Sequence, residues 1–309
     1  MTRYRSLNSC LRERFGCKVY KLALDGGFTC PNRDGTLDTR GCIFCSGSGS
    51  GSFAVSACGD MALAVERAKA AVASKVGSDG KYIAYFQSFT GTYAPVERLE
   101  KLYAPVLGLP DIAALSIGTR PDCLGGDVIA LLERFSGIKP VWVELGLQTI
   151  HPATAEYIRR GYDLPVFDDA VRRLKDAGLE IVVHMIIGLP GETDEMIYET
   201  AEYVGGCGAD GVKLQVLDVI ENRDVVWDYE NGAFETLTLE KYADLLEGCI
   251  RRIPPEMVVH RITGDGAKSE LIAPLWSADK KRVLNYLNER FERDDLRQGS
   301  LLEDGGGAK

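Results

Sequence analysis

Two kinds of segment alternate along most of this 309-residue chain, and few folds accept that alternation. Short aliphatic and β-branched runs predict strands at residues 19–24, 82–86, 112–117, 141–147, 181–187, 212–217 and 257–262. Between these runs, helical patterning covers residues 61–76, 96–106, 128–135, 166–177, 195–204 and 239–252. Strands that alternate with helices of this size indicate βαβ units and a parallel sheet.

The predicted strands are rich in apolar residues, and the run at 181–187 is almost continuous. Such strands are typical of a sheet that is covered on both faces. A doubly wound sheet and a barrel explain this pattern equally well. In both folds, ligands collect at the carboxyl ends of the strands.

The connection after the first predicted strand is unusual, because residues 25–53 have no regular pattern. Irregular loops longer than about 15 residues are usually functional or disordered. This loop contains Cys30, Cys42 and Cys45, with eleven residues between the first two and two between the last two. Its end, residues 46–52, alternates serine and glycine and predicts a mobile rim.

The chain has nine cysteines, an odd number, and its first residues lack the apolar core of a secretory signal. We therefore expect a cytoplasmic protein, in which disulfides are disfavoured and clustered cysteines indicate metal binding or catalysis. The scattered cysteines are predicted to be small buried hydrophobic residues. These are Cys10, Cys17, Cys58, Cys123, Cys207 and Cys249.

The clustered cysteines offer soft thiolate ligands, which suit an iron–sulfur cluster or zinc. A structural zinc site needs four closed ligands, and here the candidate fourth ligand is Cys58, across a glycine-rich stretch. Three thiolates on a 4Fe–4S cluster leave one iron open, and that iron can take the amino and carboxylate groups of S-adenosylmethionine (SAM). The spacing therefore favours a 4Fe–4S cluster on Cys30, Cys42 and Cys45.

The net charge is −9, from 36 lysines and arginines against 45 acidic residues. This balance argues against a surface that binds nucleic acid over its whole extent, although a local basic patch is compatible with it. Basic residues cluster late in the chain, as either an RNA-facing patch or a solvated helix face. They are Arg251, Arg252, Arg261, Lys268, Lys280, Lys281 and Arg282.

Several segments resemble the YhcC-like group of radical SAM proteins, which is related to the radical SAM core of the elongator catalytic subunit. The matching segments are KVYKLALDGGFTCPNRDG at 18–35, FQSFTGTYAP at 86–95, GTRPDC at 118–123, VELGLQT at 143–149, RG at 160–161, HMIIGLPG at 184–191, VHRITGDG at 259–266 and APLWS at 273–277. They spread over most of residues 18–285.

The resemblance implies an α/β fold, namely a partial (β/α)₆ barrel of TIM type that opens at one side. Cluster and SAM would lie at the carboxyl ends of its strands. We expect an N-terminal extension at residues 1–17, the core barrel at 18–265, a C-terminal helical extension at 266–296 and a disordered tail at 297–309.

The resemblance also assigns SAM contacts by position. An aromatic residue usually precedes the last cluster cysteine in radical SAM motifs, near the adenine, and Phe44 stands there. Gln87 and Thr90 fall where the second-strand motif meets the methionyl amino group. Thr119 and Arg120 fall near the ribose and the carboxylate.

Further contacts are implied by related coproporphyrinogen-type enzymes. Gln148 and Arg160 match polar residues that contact SAM there, and His184 stands where those relatives place a SAM-contacting acid. The turn from Gly188 to Pro190 would let the backbone approach the adenine. The resemblance identifies no catalytic side chain beyond these ligands.

These assignments have structural alternatives. Residues 188–191 also suit a plain turn at a strand end, His184 suits a hydrogen-bonded core position, and residues 120–122 suit a turn before a helix. Gly118 departs from the family pattern, since many relatives have a glutamate there. A glycine at this position cannot provide the ribose contact that the glutamate of those relatives implies.

The elongator relative implies a substrate, because it acts on the carbon-5 side chain of a wobble uridine in transfer RNA. We expect a radical SAM enzyme that modifies such a side chain, with a flavodoxin- or ferredoxin-type reductant and without DNA or a membrane as partner; no apolar run approaches the roughly 20 residues of a spanning helix. The alternatives are a coproporphyrinogen-oxidase-like enzyme with a small-molecule substrate, and a non-catalytic RNA-binding module with a metal cluster.

Overall fold

The structure is a computed structural model that describes residues 3–47, 49, 54–56, 60–77, 79–221, 224–264 and 269–302. Its strands are β1 (Val19–Asp25), β2 (Val55–Ser56), β3 (Lys81–Phe86), β4 (Ile112–Thr119), β5 (Val141–Gln148), β6 (Glu180–Ile187), β7 (Gly211–Val216), β8 (Val219–Ile220), β9 (Val258–Arg261) and β10 (Leu271–Ala273). All seven predicted strands are present.

The helices lie mostly between these strands. They are α1 (Leu7–Phe15), α2 (Met61–Val76), α3 (Val96–Leu107), α4 (Gly126–Ser136), α5 (Pro152–Tyr157), α6 (Leu164–Asp176), α7 (Asp194–Gly206), α8 (Asp224–Glu230), α9 (Leu239–Arg251) and α10 (Lys280–Arg293). Within the described ranges, no helix is long and apolar enough to cross a membrane.

The chain divides into two compact units. The N-terminal unit comprises Asn8–Gly146 and Arg159–Val182. The C-terminal unit comprises Met1–Leu7, Leu147–Ile158 and Val183–Lys309. These units are not the predicted segments, since short pieces of each interrupt the other along the chain.

The strands follow the predicted parallel pattern. Eight of them share one sheet in the order β2-β1-β3-β4-β5-β6-β7-β9, with β2 and β9 at its edges. Within the N-terminal unit, β1 pairs in parallel with β2 and β3, β3 with β4, and β4 with β5. Within the C-terminal unit, β7 pairs in parallel with β9, while β8 and β10 form a small antiparallel ribbon. The α/β class with a parallel sheet is confirmed.

Local sequence explains the element boundaries. Helix α2 begins after Asp60, whose side chain accepts a hydrogen bond from the Leu63 N–H, and its Ala64, Val65 and Ala68 are buried. All eight residues of β4 are buried, as the continuous apolar pattern requires for a strand covered on both faces. Because β4 and β5 extend to Thr119 and Gln148, the polar residues at their carboxyl ends belong to the strands themselves.

The described end of the chain is hydrogen-bonded to other parts of the C-terminal unit. The Gln298 side-chain amide donates to Pro254 O at 2.6 Å and to Met257 O at 2.8 Å. The Leu301 N–H donates to Arg251 O at 2.8 Å. Backbone and amide groups within residues 297–302 therefore have partners in the fold. The glycine-rich end and most of the predicted mobile rim at 46–52 lie outside the described residues.

Candidate cluster and cofactor site

The cysteine loop begins at the carboxyl end of β1. Cys30, Cys42 and Cys45 are all half-buried. The Arg33 and Asp34 N–H groups donate to Cys30 O at 2.8 and 3.1 Å, and the Cys45 N–H donates to Cys42 O at 3.0 Å. Each end of the loop therefore forms a tight turn that starts at a cysteine, and Phe44 lies half-buried in the second turn.

Arg33 fastens the end of this loop. Its Nη2 donates to Cys45 O at 2.9 Å and to Ser46 O at 2.8 Å, and its guanidinium lies 5.7 Å from the centre of the Phe89 ring. Gly41 has φ +79°, and a Cβ there would lie 2.8 Å from Arg33 Nε. A side chain would be strained at this left-handed φ, and its Cβ would force the Arg33 guanidinium to move.

The thiols influence one another electrostatically. Burial and, to a smaller extent, negative charge on Cys45 and Cys30 raise the pKa of the Cys42 thiol to about 12, against the opposing effects of Arg120 and Asn32. Bound iron would reverse this, since thiolates are the ligand form. No three His, Cys, Asp or Glu side chains within the described ranges converge on one point that would hold a single ion. A cluster that takes one thiolate per iron does not need that convergence, so the donor set fits it.

Buried polar residues follow β3 and end β4. Gln87 and Thr90 are buried at 8% and 1% exposure, and the Thr90 N–H donates to Thr29 O, beside the first cluster cysteine, at 3.3 Å. The Thr119 and Thr92 hydroxyls are 2.5 Å apart, and Thr92 Oγ1 also donates to Cys123 O at 2.6 Å. The structure thus brings these predicted residues to the same strand ends as the cysteine loop.

Two buried arginines flank one tyrosine in the same unit. The Arg120 guanidinium donates to both carboxylate oxygens of Asp122, at 2.9 and 2.7 Å, and to Arg160 O at 2.8 Å. The guanidinium carbons of Arg120 and Arg160 lie 5.0 and 4.7 Å from the centre of the Tyr162 ring. The Tyr162 hydroxyl donates to Gly146 O. Both arginines are therefore held next to the cysteine loop by cation–π contacts and hydrogen bonds.

These arginines have different electrostatic surroundings. Burial opposes the charge on Arg120, but the hydrogen bonds and charge of Asp122 outweigh it and raise its pKa. Burial lowers the pKa of Arg160. The Arg160 Nε donates a hydrogen bond to Tyr162 O at 3.0 Å. A cation in this desolvated position attracts an anionic ligand more strongly than one in water would.

Three residues of this site were missed or undervalued by the sequence analysis. Cys123 was expected to be a plain core residue, yet its thiol lies 3.7 Å from the Asp122 carboxylate, and burial, followed by the charge of Asp122, raises its pKa to about 12. Asn32 contacts Cys42, and Tyr162 separates the two arginines. Cys123 had a usable signal, because it follows the end of a predicted strand.

The other predicted SAM contacts belong to the C-terminal unit. Gln148 ends β5 with φ +65°, which is uncommon for a residue with a side chain, and His184 lies half-buried within β6. Gly188 has φ +89°, and a Cβ there would lie 2.7 Å from Leu237 Cδ1. The turn that begins at Gly188 and runs through Pro190 is thus glycine-dependent.

A carboxylate follows that turn. The Thr149 hydroxyl donates to Glu192 Oε1 at 2.5 Å. Burial raises the pKa of Glu192, and the hydrogen bond from Thr149 acts against this rise. Within the C-terminal unit, the carboxyl ends of β5 and β6 are therefore joined through one hydroxyl and one carboxylate.

Comparison with known proteins gives a consistent family assignment. The model of the radical SAM superfamily matches residues 39–204, and that of the Radical_SAM C-terminal domain matches residues 209–293. The chain is 44% identical over 301 residues to the uncharacterized protein YtqA of Bacillus subtilis, covering 97% of this chain and 93% of that one. It is 38% identical over 294 residues to protein YhcC of Escherichia coli, covering 94% and 93%.

The chain also has more distant similarities, to a tRNA uridine(34) acetyltransferase and to a solved Elp3. A tRNA uridine(34) acetyltransferase of Methanocaldococcus jannaschii is 28% identical over 159 residues, which are 49% of this chain and 28% of that protein. The solved Elp3 of Methanocaldococcus infernus, with an N-terminal deletion, matches with a TM-score of 0.69 at 19% identity, over 91% of this chain and 64% of that one. This second likeness concerns the fold, and it confirms the predicted fold class.

The superfamily model covers more than half of the chain, and the relatives above 30% identity match nearly all of it. The chain therefore belongs to the radical SAM superfamily, in the group of the YtqA and YhcC proteins.

Proposed function

We propose that this protein binds a 4Fe–4S cluster through Cys30, Cys42 and Cys45 and binds SAM beside it. The observation that carries the proposal is the cysteine loop held next to the buried Arg120 and Arg160, in a chain of the radical SAM superfamily. The chemistry that such a cluster supplies is the reductive cleavage of SAM to a 5′-deoxyadenosyl radical, with electrons from a flavodoxin- or ferredoxin-type protein.

The side chains of this protein bind and orient SAM in our proposal. Arg160 faces the carboxylate, because a desolvated guanidinium suits an anionic group. Gln87 and Thr90 accept hydrogen bonds from the amino group of SAM. Thr119 and Arg120 contact SAM near its ribose and carboxylate. Phe44 packs near the adenine.

In the C-terminal unit, Gln148 and His184 are proposed as further polar contacts to SAM. The backbone at Gly188 and Pro190 would receive the adenine. The left-handed φ of Gly188 supports this role, because the glycine conformation brings backbone atoms forward without a side chain.

Replacing Arg160 or Gln148 with alanine is expected to weaken SAM binding. For Arg160→Ala we expect a loss of about 10- to 100-fold, since a hydrogen bond to a charged group contributes about 1.5–3 kcal/mol. The effect of Gln148→Ala is expected to be smaller, because the amide is neutral. Iron content should stay at the wild-type level in both variants. Equilibrium binding of SAM to anaerobically reconstituted protein measures the effect.

The matched control is Arg134→Ala, which removes an exposed guanidinium from α4 that pairs with Glu100 at 3.0 Å. This control should bind SAM like the wild type. Unchanged SAM affinity in both Arg160→Ala and Gln148→Ala would contradict the assignment of these contacts.

For the substrate, we propose a wobble uridine that carries a carbon-5 side chain, within folded transfer RNA. The support is the similarity to a protein named as a tRNA uridine(34) acetyltransferase and to the fold of Elp3. An anticodon loop can splay out its bases, so that one uridine enters a site while the stem remains outside.

Several basic residues in the later part of the chain are not available to bind RNA. Arg251 donates to Asp294 O at 2.8 Å, and Arg252 pairs with Glu202 at 3.0 Å, so both are engaged within the fold. Lys213 is buried in β7, at 3% exposure, and is not a surface cation. Lys268 lies outside the described residues.

An exposed basic run remains at the start of α10, with Lys280, Lys281 and Arg282 in its first turn, directly after the capping residue Asp279. Cations are unfavourable at a helix N-terminus, because the helix dipole is positive at that end. The Asp279 carboxylate, which accepts a hydrogen bond from the Arg282 N–H at 3.1 Å, offsets part of this repulsion, and a phosphate backbone would offset more of it. The placement therefore supports RNA contact at the start of α10.

Replacing Lys280, Lys281 and Arg282 with glutamate is expected to make RNA affinity depend less steeply on salt concentration. With fewer phosphate contacts, fewer counterions are released when RNA binds. RNA turnover should slow, while SAM cleavage without RNA stays unchanged. Binding of unmodified transfer RNA across a salt series measures the slope. A control with Lys101, Arg134 and Arg172 changed to glutamate has the same net charge and should keep the wild-type slope.

The decisive experiment for the substrate is nucleoside mass spectrometry of transfer RNA from a deletion strain. We expect one modified uridine to disappear and a precursor with a shorter or unmodified side chain to accumulate. Identical profiles from the wild-type and deletion strains would overturn the RNA substrate and favour a small-molecule, coproporphyrinogen-oxidase-like reaction instead.

A further inference from the structure

We infer that Asn32 is a positioning residue that raises the reduction potential of the cluster and holds Arg160 in place for SAM. This inference rests on the proposed function, since it takes Cys42 as a cluster ligand. The side-chain amide of Asn32 contacts both the cysteine and the backbone of the arginine, which lie far apart in the sequence.

The Asn32 amide nitrogen is surrounded by acceptors. Nδ2 lies 3.4 Å from Cys42 Sγ, 2.8 Å from Arg159 O and 3.2 Å from Arg160 O. The residue is 2% exposed, so water does not compete effectively for these contacts. Because a thiolate and a carbonyl can only accept, the amide NH₂ rather than its oxygen must face them. The orientation of Asn32 is therefore determined by its neighbours.

The backbone around Arg160 is shaped to fit this amide. Arg159 has φ +55° and Gly161 has φ +81°, so two left-handed residues enclose Arg160. A Cβ at Gly161 would lie 2.7 Å from Asn32 Oδ1. Arg160 O also accepts a hydrogen bond from Arg120 Nη1 at 2.8 Å. Asn32 and Arg120 together thus hold the carbonyl of Arg160 and the backbone from which its side chain projects, while Tyr162 contacts the guanidinium.

The same amide acts on the cluster through the sulfur. An N–H group that donates to a cysteine ligand withdraws electron density from the sulfur, and hydrogen bonds to the sulfurs are one determinant of cluster potential. The reduced cluster carries one more negative charge than the oxidised one. A donor at the sulfur therefore stabilises the reduced form, and its loss makes the cluster harder to reduce.

Asn32→Leu tests this role, because leucine has a similar branched shape but no donor. Asn32→Asp adds a negative charge at the same place. We expect both variants to keep their iron and to show a lower midpoint potential, with the larger fall for aspartate. For Asn32→Leu we expect about a tenfold lower ratio of reduced to oxidised cluster at a fixed potential, equivalent to about 59 mV for a one-electron couple.

The measurement is a potentiometric titration of reconstituted protein without SAM, followed by electron paramagnetic resonance, together with iron and sulfide analysis and SAM binding. Asn285→Asp on the exposed face of α10 is the matched control, since it makes the same chemical change away from the cysteines. Gly161→Ala is a second way to disturb the contact between Asn32 and Cys42, because the new Cβ would displace the Asn32 amide without altering any charge. It should lower the potential as Asn32→Leu does and weaken SAM binding.

The outcomes separate this inference from the proposed function. Wild-type protein that takes up no iron–sulfur cluster would overturn both. A wild-type cluster with the same potential in all three site variants would overturn this inference alone. Loss of the cluster from every site variant would also overturn it, since Asn32 would then act in cluster retention rather than in setting the potential.

Discussion

Replacing Cys30, Cys42 or Cys45 with alanine is expected to abolish the 4Fe–4S cluster and reduce SAM cleavage to the background rate. In the proposed cluster each thiolate would bind a separate iron, so removing one would leave the cluster with two protein ligands and two open positions. Iron and sulfide analysis and the visible absorbance of anaerobically reconstituted protein measure the cluster. Formation of 5′-deoxyadenosine under dithionite measures the cleavage.

Other cysteines provide the controls for this experiment. Cys207 lies at the end of α7, where its thiol donates to Val204 O at 3.2 Å, and Cys207→Ala should keep the full cluster. Cys123→Ala should keep it as well, although Cys123 lies beside Asp122. The Cys58→Ala variant tests the fourth-ligand alternative and is also expected to keep the cluster. One zinc per chain in protein prepared without oxygen would contradict the cluster assignment.

Local pattern was sufficient to predict the regular core of the fold. The bounds of α2 match those predicted, and the strand at residues 181–187 differs from β6 by one residue. Continuous β-branched runs identify such strands because fully buried strands have no polar face to interrupt them. The short β8, β10 and α5 were missed, since two to six residues carry too little periodicity to be recognised.

Long-range contacts explain what was not predicted in the site. Asn32 and Arg159 are 127 positions apart, and no pattern within a loop indicates that one amide will reach the other segment. No sequence pattern singles out Tyr162, whose ring contacts both Arg120 and Arg160 only because of the fold. The cysteines themselves could be selected from the sequence, because their spacing is a property of one loop.

The clustering of basic residues in the sequence did not predict a continuous basic surface. Seven basic residues lie close together in the sequence, yet Arg251 and Arg252 are bound to Asp294, Glu202 and neighbouring groups. Helices and strands direct successive side chains to different faces, so sequence proximity does not produce a surface patch. The run that starts α10 is exposed because its residues occupy one helical turn at a helix end.

Leaving the buried Glu144 without its partner Lys21, which is 19% exposed, is expected to destabilise the protein by about 3–5 kcal/mol, a large part of the 5–15 kcal/mol typical of a domain. Lys21 Nζ lies 2.6 Å from Glu144 Oε1, whose side chain is fully buried and also accepts from Ser116 Oγ at 2.5 Å. The Lys21 ammonium lies 4.7 and 5.2 Å from the ring centres of Tyr85 and Trp142. Water therefore cannot replace a missing partner easily.

The variants Lys21→Met and Glu144→Leu each leave one charge of this pair in a desolvated position. Replacing both at once removes the two charges together, so the double variant is expected to be more stable than either single one. Urea unfolding of the iron-free protein, with the slope compared among variants, measures these differences. The control is Arg172→Ala, which breaks exposed pairs with Asp169 and Asp176 on α6 and should cost less than about 1 kcal/mol. If Lys21→Met cost no more than Arg172→Ala, the ion pair would not be a structural determinant of the N-terminal unit.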